Sequence, residues 1–101
     1  MAEMANTIIE LIVQNHPGVM SHITGLFSRR GFNLEGILCG PIEDGTKSRM
    51  YLLVNRDERL EQIIKQCEKL YDVIALSVCK DYDHTLFHRL HEFIIKEPAI
   101  K

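Results

Sequence analysis

The sequence predicts an α+β domain of βαββαβ order, a four-stranded antiparallel sheet with two helices on one face. Three observations carry this prediction. Four stretches of strand length, 7–14, 32–42, 49–55 and 73–79, are rich in β-branched and other apolar residues. The stretches 19–30 and 57–70 space their apolar residues at helical intervals. The second and third strands are separated only by a Glu43-Asp44-Gly45-Thr46 turn, which makes them a hairpin and leaves right-handed crossovers elsewhere.

In the first strand Ile9, Leu11 and Val13 share one face; Ile8, Glu10 and Ile12 share the other. Both faces are partly apolar, so the open face is expected to be covered, by self-association. Asn15-His16-Pro17-Gly18 is a turn cluster. Asn is a good helix cap and Pro suits a first turn. The helix that follows carries an apolar stripe of Val19, Ile23, Leu26 and Phe27 and is expected to end near Arg30. Arg29 and Arg30 suit the negative end of its dipole, and Gly31 suits the left-handed residue just past it. In the second strand the alternation slips between Leu34 and Ile37, which places a bulge or a close backbone approach at Gly36. Met50, Leu52 and Val54 share a face of the third strand. The second helix buries Leu60, Ile63, Ile64 and Cys67, and Asn55 with Glu58 has capping-box spacing. Ile74, Leu76 and Val78 line one side of the fourth strand. Beyond it, 81–101 fits a helix (Tyr82, Leu86, Leu90, Phe93) or a strand (90–95), with Pro98 as a stop.

A chain of 101 residues suffices for one core without staples. Its net charge of -2 lacks the basic footprint of a nucleic-acid binder. No apolar run approaches membrane-spanning length and the start is acidic, so the expected compartment is the cytoplasm. Cys39, Cys67 and Cys79 are odd in number and lack metal or redox spacing, which makes them structural thiols. No nucleophile elbow, phosphate-binding loop, HExxH or dinucleotide fingerprint occurs. An acylphosphatase of this topology requires an arginine in the first loop, and there is none. His84, His88 and His91 would share a helical face, but their spacing alone is a weak metal signal. His16 and His22 show no acid partner in the sequence.

Two constellations suit ligand binding. The Asn15–Val19 turn places unpaired helix-terminal N–H groups, a side-chain-free Gly18 and an amide side chain together, which suits a free amino acid's carboxylate and ammonium. An ordinary helix start explains the same residues. Asn33, Glu35 and Gly36 would complete a polar pocket, or form a plain solvated strand face.

The run Asn15-His16-Pro17-Gly18-Val19-Met20, then Gly25-Leu26-Phe27-Ser28-Arg29-Arg30-Gly31-Phe32-Asn33-Leu34-Glu35-Gly36-Ile37, resembles the ACT domain of acetohydroxyacid synthase (acetolactate synthase) regulatory small subunits. Leu52-Leu53-Val54-Asn55 and Arg59-Leu60-Glu61-Gln62 resemble its short form. The likeness covers about 7–80. It implies a ferredoxin-like ACT domain over 1–80, for effector binding and dimerisation, and a tail over 81–101 available for partner contact. It also implies a chain that is not an enzyme on its own. Such a chain binds a branched-chain amino acid, usually valine, and mediates feedback inhibition and activation of a catalytic large subunit. That subunit carries thiamine diphosphate, Mg2+ and FAD. The family's domains pair side by side as homodimers with effector sites at the seam. Carried over by position, the effector residues are Asn15, His16, Pro17, Gly18, Val19 and Met20, with Asn33 and Ile37 from the second strand; Asn33 would reach across from the paired domain. Backbone N–H groups near Gly18 and Val19 would hold the carboxylate. Met20, His22 and Gly36 stand where many members have Leu, Arg and Ser. Residues 86–96 would be the remnant strand of the long form's second domain. The remaining alternative is an ACT-type sensor of another amino acid serving a different enzyme.

Overall fold

A computed structural model describes residues 6–79, 81–83 and 85–94. Strand β1 (Asn6–Gln14) leads into helix α1 (Val19–Arg29), then β2 (Leu34–Ile42), β3 (Lys47–Asn55), helix α2 (Leu60–Glu68) and β4 (Val73–Cys79). The sheet order is β2-β3-β1-β4 and every neighbouring pair is antiparallel. This is the expected βαββαβ fold.

The core follows the two periodicities. Ile9, Leu11 and Val13 of β1, and Met50, Leu52 and Val54 of β3, are fully buried. They form one cluster with Val19, Ile23, Leu26 and Phe27 of α1 and Leu60, Ile63 and Cys67 of α2. Alternate strand residues and every third or fourth helix residue meet in one layer, each large side chain stabilising by roughly 1.5–3 kcal/mol. Helix α1 ends as its sequence predicts. Gly31 has φ 81, its N–H donates to the Ser28 carbonyl, and the Phe32 N–H donates to the Phe27 carbonyl. These are the two bonds of a Schellman end, and the Phe32 ring packs edge-on against Phe27 at 6.2 Å.

Local chemistry differs from expectation at both helix starts. Asn15 does not cap α1; the capping residue is Gly18, left-handed at φ 89, with no side-chain bond. Asn55 remains paired in β3, so there is no capping box before α2. The Asp57 carboxylate takes that role, accepting from the Arg59 N–H at 2.7 Å and from the Arg59 guanidinium at 3.0 and 3.1 Å. Strand β2 carries a bulge between Leu34 and Gly36.

The open face is partly covered from within the chain. Beyond β4 a 3-10 turn (Phe87–Arg89) runs into a short helix, α3 (Leu90–Ile94). The helical alternative for this stretch is therefore the observed one, and over 87–94 there is no remnant strand. A Cβ on Gly36 would sit 2.6 Å from the Phe87 ring. Gly36 thus serves both as a bulge residue and as a close approach. In the middle of the same face Glu10 accepts from the Tyr51 hydroxyl at 3.0 Å and pairs with Arg49 at 3.2 Å. His84 and Pro98 lie outside the described residues.

Candidate functional site

The three connections at one end of the sheet meet around the β1–α1 loop. The loop begins where β1 runs out, and its backbone is tied on both sides. The Gln14 N–H donates to the Asp72 carbonyl at 2.9 Å, and the Asn15 N–H donates to the Thr46 carbonyl at 3.0 Å. The Asn15 side chain adds a third tie, donating from Nδ2 to the Gly45 carbonyl at 2.7 Å. Its Oδ1 is left to accept from something else. The hairpin that receives it is held by Asp44, whose Oδ1 accepts from the Thr46 N–H and hydroxyl at 3.1 and 2.7 Å. Those two bonds hold the Asp44 carboxyl below its usual pKa.

Gly18 turns the chain into α1. Its φ of 89 suits glycine, and a Cβ there would meet no atom within 4 Å. The space in front of the helix is therefore open. Among the described residues, the backbone N–H groups of Gly18, Met20 and Ser21 make no hydrogen bond, whereas that of Val19 donates to the His16 carbonyl at 3.2 Å. Of the Gly18–Val19 pair that the sequence suggests, Gly18 is available and Val19 is not, with Met20 and Ser21 beside them. The available amides form the positive end of an eleven-residue helix. The Val19 side chain is buried in the core and offers a ligand only backbone, whereas Met20 is 42% exposed. Asn15, His16 and Pro17 are exposed around the loop.

Sequence reasoning missed the acid beneath this loop. Asp72, in the turn before β4, is almost wholly buried, with its side chain 8% exposed. Its Oδ1 accepts from His16 Nε2 at 2.7 Å and its Oδ2 from His22 Nδ1 at 3.4 Å. The His16 contact is the main reason its pKa lies below the ordinary carboxylate value. In return the Asp72 bond, then the Pro17 carbonyl at 2.8 Å from Nδ1, raises His16. Fifty-six residues separate His16 from Asp72, and no local pattern signals a pair at that distance.

Asn33 and Ile37 are not brought to this loop within one chain. Asn33 follows α1, whose length at 1.5 Å per residue is roughly 16 Å, and its Nδ2 donates to Glu35 at 2.9 Å. Ile37 lies on the edge strand β2, opposite Leu52 and so on the helix side of the sheet, yet it is 40% exposed. No group of three metal-ligating side chains occurs among the described residues. Nor is any described helix long and apolar enough to cross a membrane.

A family model described as the AHAS small subunit-like ACT domain matches residues 9–75. The chain belongs to that family. The acetolactate synthase isozyme 1 small subunit of Escherichia coli (strain K12) is 54% identical over 88 residues, which cover 87% of this chain and 91% of that protein. The isozyme 3 small subunit of the same organism is 44% identical over 71 residues, 69% of this chain but only 44% of the relative. Among solved structures, the acetolactate synthase small subunit from Thermotoga maritima superposes with a TM-score of 0.65 at 38% identity, covering 72% of this chain and 46% of that one. An ACT domain from a GTP pyrophosphokinase of Chlorobium tepidum shares the fold at TM-score 0.65 and 18% identity. This ACT domain is therefore of the acetolactate synthase small-subunit kind, a non-catalytic regulatory subunit rather than an enzyme.

Proposed function

We propose that the Asn15–Val19 loop binds a branched-chain amino acid, valine first. Through it the chain imposes feedback inhibition on, and supports activation of, a separate catalytic subunit in the cytoplasm. That subunit would hold the thiamine diphosphate, Mg2+ and FAD. The observation that carries this reading is the helix start itself. The N–H groups of Gly18, Met20 and Ser21 are unbonded, a Cβ on Gly18 would meet no atom within 4 Å, and Asn15 Oδ1 on the same loop is left free by the Nδ2 bond. The amides suit a carboxylate and the amide oxygen suits an ammonium. The exposed Met20 side chain next to them offers apolar contact.

A homodimer completes the site. Strand β2 is an edge of the sheet. Two copies joined by a two-fold axis at that edge run their β2 strands antiparallel. The start of one copy's β2, with Asn33, then falls beside the end of the other's. The end of β2 leads into the Glu43–Thr46 hairpin that holds Asn15. Ile37, exposed on the helix side of β2, would lie along the seam.

The test is reconstitution with the cognate catalytic subunit, assaying acetolactate formation with and without valine for the wild type, Asn15→Ala and Gly18→Asp. Asp at this positive φ is strained, though less than most side chains, and it sets a carboxylate in front of the free amides. Both variants are expected to keep activation and lose inhibition. Unchanged valine inhibition in both overturns the assignment. Inhibition of the wild type by a non-branched amino acid alone replaces valine with that ligand and favours a different sensor.

A further inference from the structure

We propose that His16 and Asp72 form a proton-dependent anchor for the effector loop, so that this chain holds its amino acid more tightly when His16 is charged. The proposal rests on the reading of the Asn15–Val19 loop as the effector site. Asp72 is the positioning residue; it touches the loop and not the ligand.

The geometry favours the charged ring. His16 Nε2 lies 2.7 Å from a carboxylate oxygen and Nδ1 lies 2.8 Å from the Pro17 carbonyl oxygen. Neither oxygen has a proton to give, so both ring nitrogens must donate. Only the imidazolium satisfies both bonds. Loss of one proton breaks one of them, and each bond holds a different part of the loop. The Nδ1 bond folds the ring onto Pro17, one residue before the left-handed Gly18. The Nε2 bond ties the loop to an acid that is nearly buried and cannot follow it into solvent.

The charge also counts directly. An imidazolium two residues before Gly18 adds to the positive end of α1, where the ligand carboxylate is placed. Its other titratable neighbours do not replace it. His22, on α1, reaches the second Asp72 oxygen only at 3.4 Å. From the hairpin packed on Asn15 come Glu43 and Lys47, paired with each other at 3.6 Å, and Asp44, bonded to Thr46.

The sign follows. Asp72 favours the charged ring, so the anchor is intact at acidic pH and is lost as pH rises through the raised His16 pKa. Calorimetric titration of the full chain with L-valine, from about pH 6 to about pH 8.5, reads it. Wild-type affinity is expected to fall about tenfold across that range, within the usual span of coupling between sites. His16→Gln and Asp72→Asn are expected to bind weakly with no pH dependence, and His22→Gln to keep the wild-type fall. Nitrogen spectra of the imidazoles at about pH 6.5 are expected to show both His16 nitrogens protonated in the wild type. A wild-type affinity constant with pH, or an Asp72→Asn or His16→Gln profile like the wild type's, overturns the anchor while leaving the site. Absence of valine binding at every pH overturns the site reading and the anchor with it.

Discussion

A methyl group on Gly36 sets the C-terminal segment against the sheet. A Cβ there would lie 2.6, 2.7 and 2.9 Å from three carbons of the Phe87 ring, all inside van der Waals contact. The strand is paired on that side to Leu53 and cannot retreat, so the ring must leave. A fully buried aromatic side chain hides about 150–250 Å², and Phe87 is partly buried. Half that area at about 25 cal/mol per Å² is about 2–3 kcal/mol. Against this, alanine relieves a strand glycine of about 0.5–1 kcal/mol of chain entropy. Gly36→Ala should therefore destabilise by about 1–2 kcal/mol, and Phe87→Ala by about 2–3 kcal/mol. In the double variant the clash no longer exists, so Gly36→Ala should stabilise the Phe87→Ala background by about 0.5–1 kcal/mol. Urea unfolding followed by circular dichroism gives all four corners of the cycle. Two losses that simply add would refute the close approach as the reason for glycine at this position.

The buried acid and the thiols give two further expectations. The stability difference between the wild type and Asp72→Asn should be full between pH 3.8 and 6.5, the ordinary values of the two groups. It should fall below that window as the depressed Asp72 takes up its proton, and above it as the raised His16 loses one; melting temperatures across pH check this. With a thiol reagent at about pH 8, Cys39, exposed in the single chain, should react before Cys67. Cys67 is buried, its thiol pushed up to about 11 by desolvation, and should react only after denaturant is added; mass spectrometry of the modified chain reads the order.

Most of the fold was legible because its signals are local and repeated. The stripe Val19, Ile23, Leu26 and Phe27 and the alternating sets in β1 and β3 name the core without any knowledge of topology. Gly31 and Gly36 were readable because a positive φ and a broken alternation both leave a mark in sequence. The caps were not. Asn55 and Glu58 have the right spacing, but pairing of β3 through Asn55 outcompetes a helix cap, and Asp57 is left to do the work. Asn15 is drawn off in the same way, to the Gly45 carbonyl thirty residues away. Short periodic runs also fail to separate helix from strand, which is why the stretch after β4 fits a helix or, over 90–95, a strand. The Asn15–Val19 loop stood out by its helix-start chemistry and by resemblance to a family, while Asp72 had no signal at all. A tertiary pair between a loop histidine and a turn aspartate follows from where β1 and β4 place their ends.

That placement says how a ligand proposed at the loop would act at a distance. Antiparallel pairing of β1 with both β3 and β4 brings the start of α1, the β2–β3 hairpin and the end of the α2 connection to one end of the sheet. The loop is bonded to each: Asn15 to Gly45 and Thr46, Gln14 and His16 to Asp72. A ligand that repositions the loop must therefore move the hairpin or the turn, or break bonds to them. The hairpin continues into the edge strand β2, and the turn continues into the other edge, β4. Under the proposed function, differential binding energy at the loop would reach both edges of the sheet, the two places where another chain can add to it. A glycine at 18 and an asparagine at 15 are the cheapest way to build such a junction. One leaves the space before α1 open, and the other holds the hairpin while keeping its amide oxygen free.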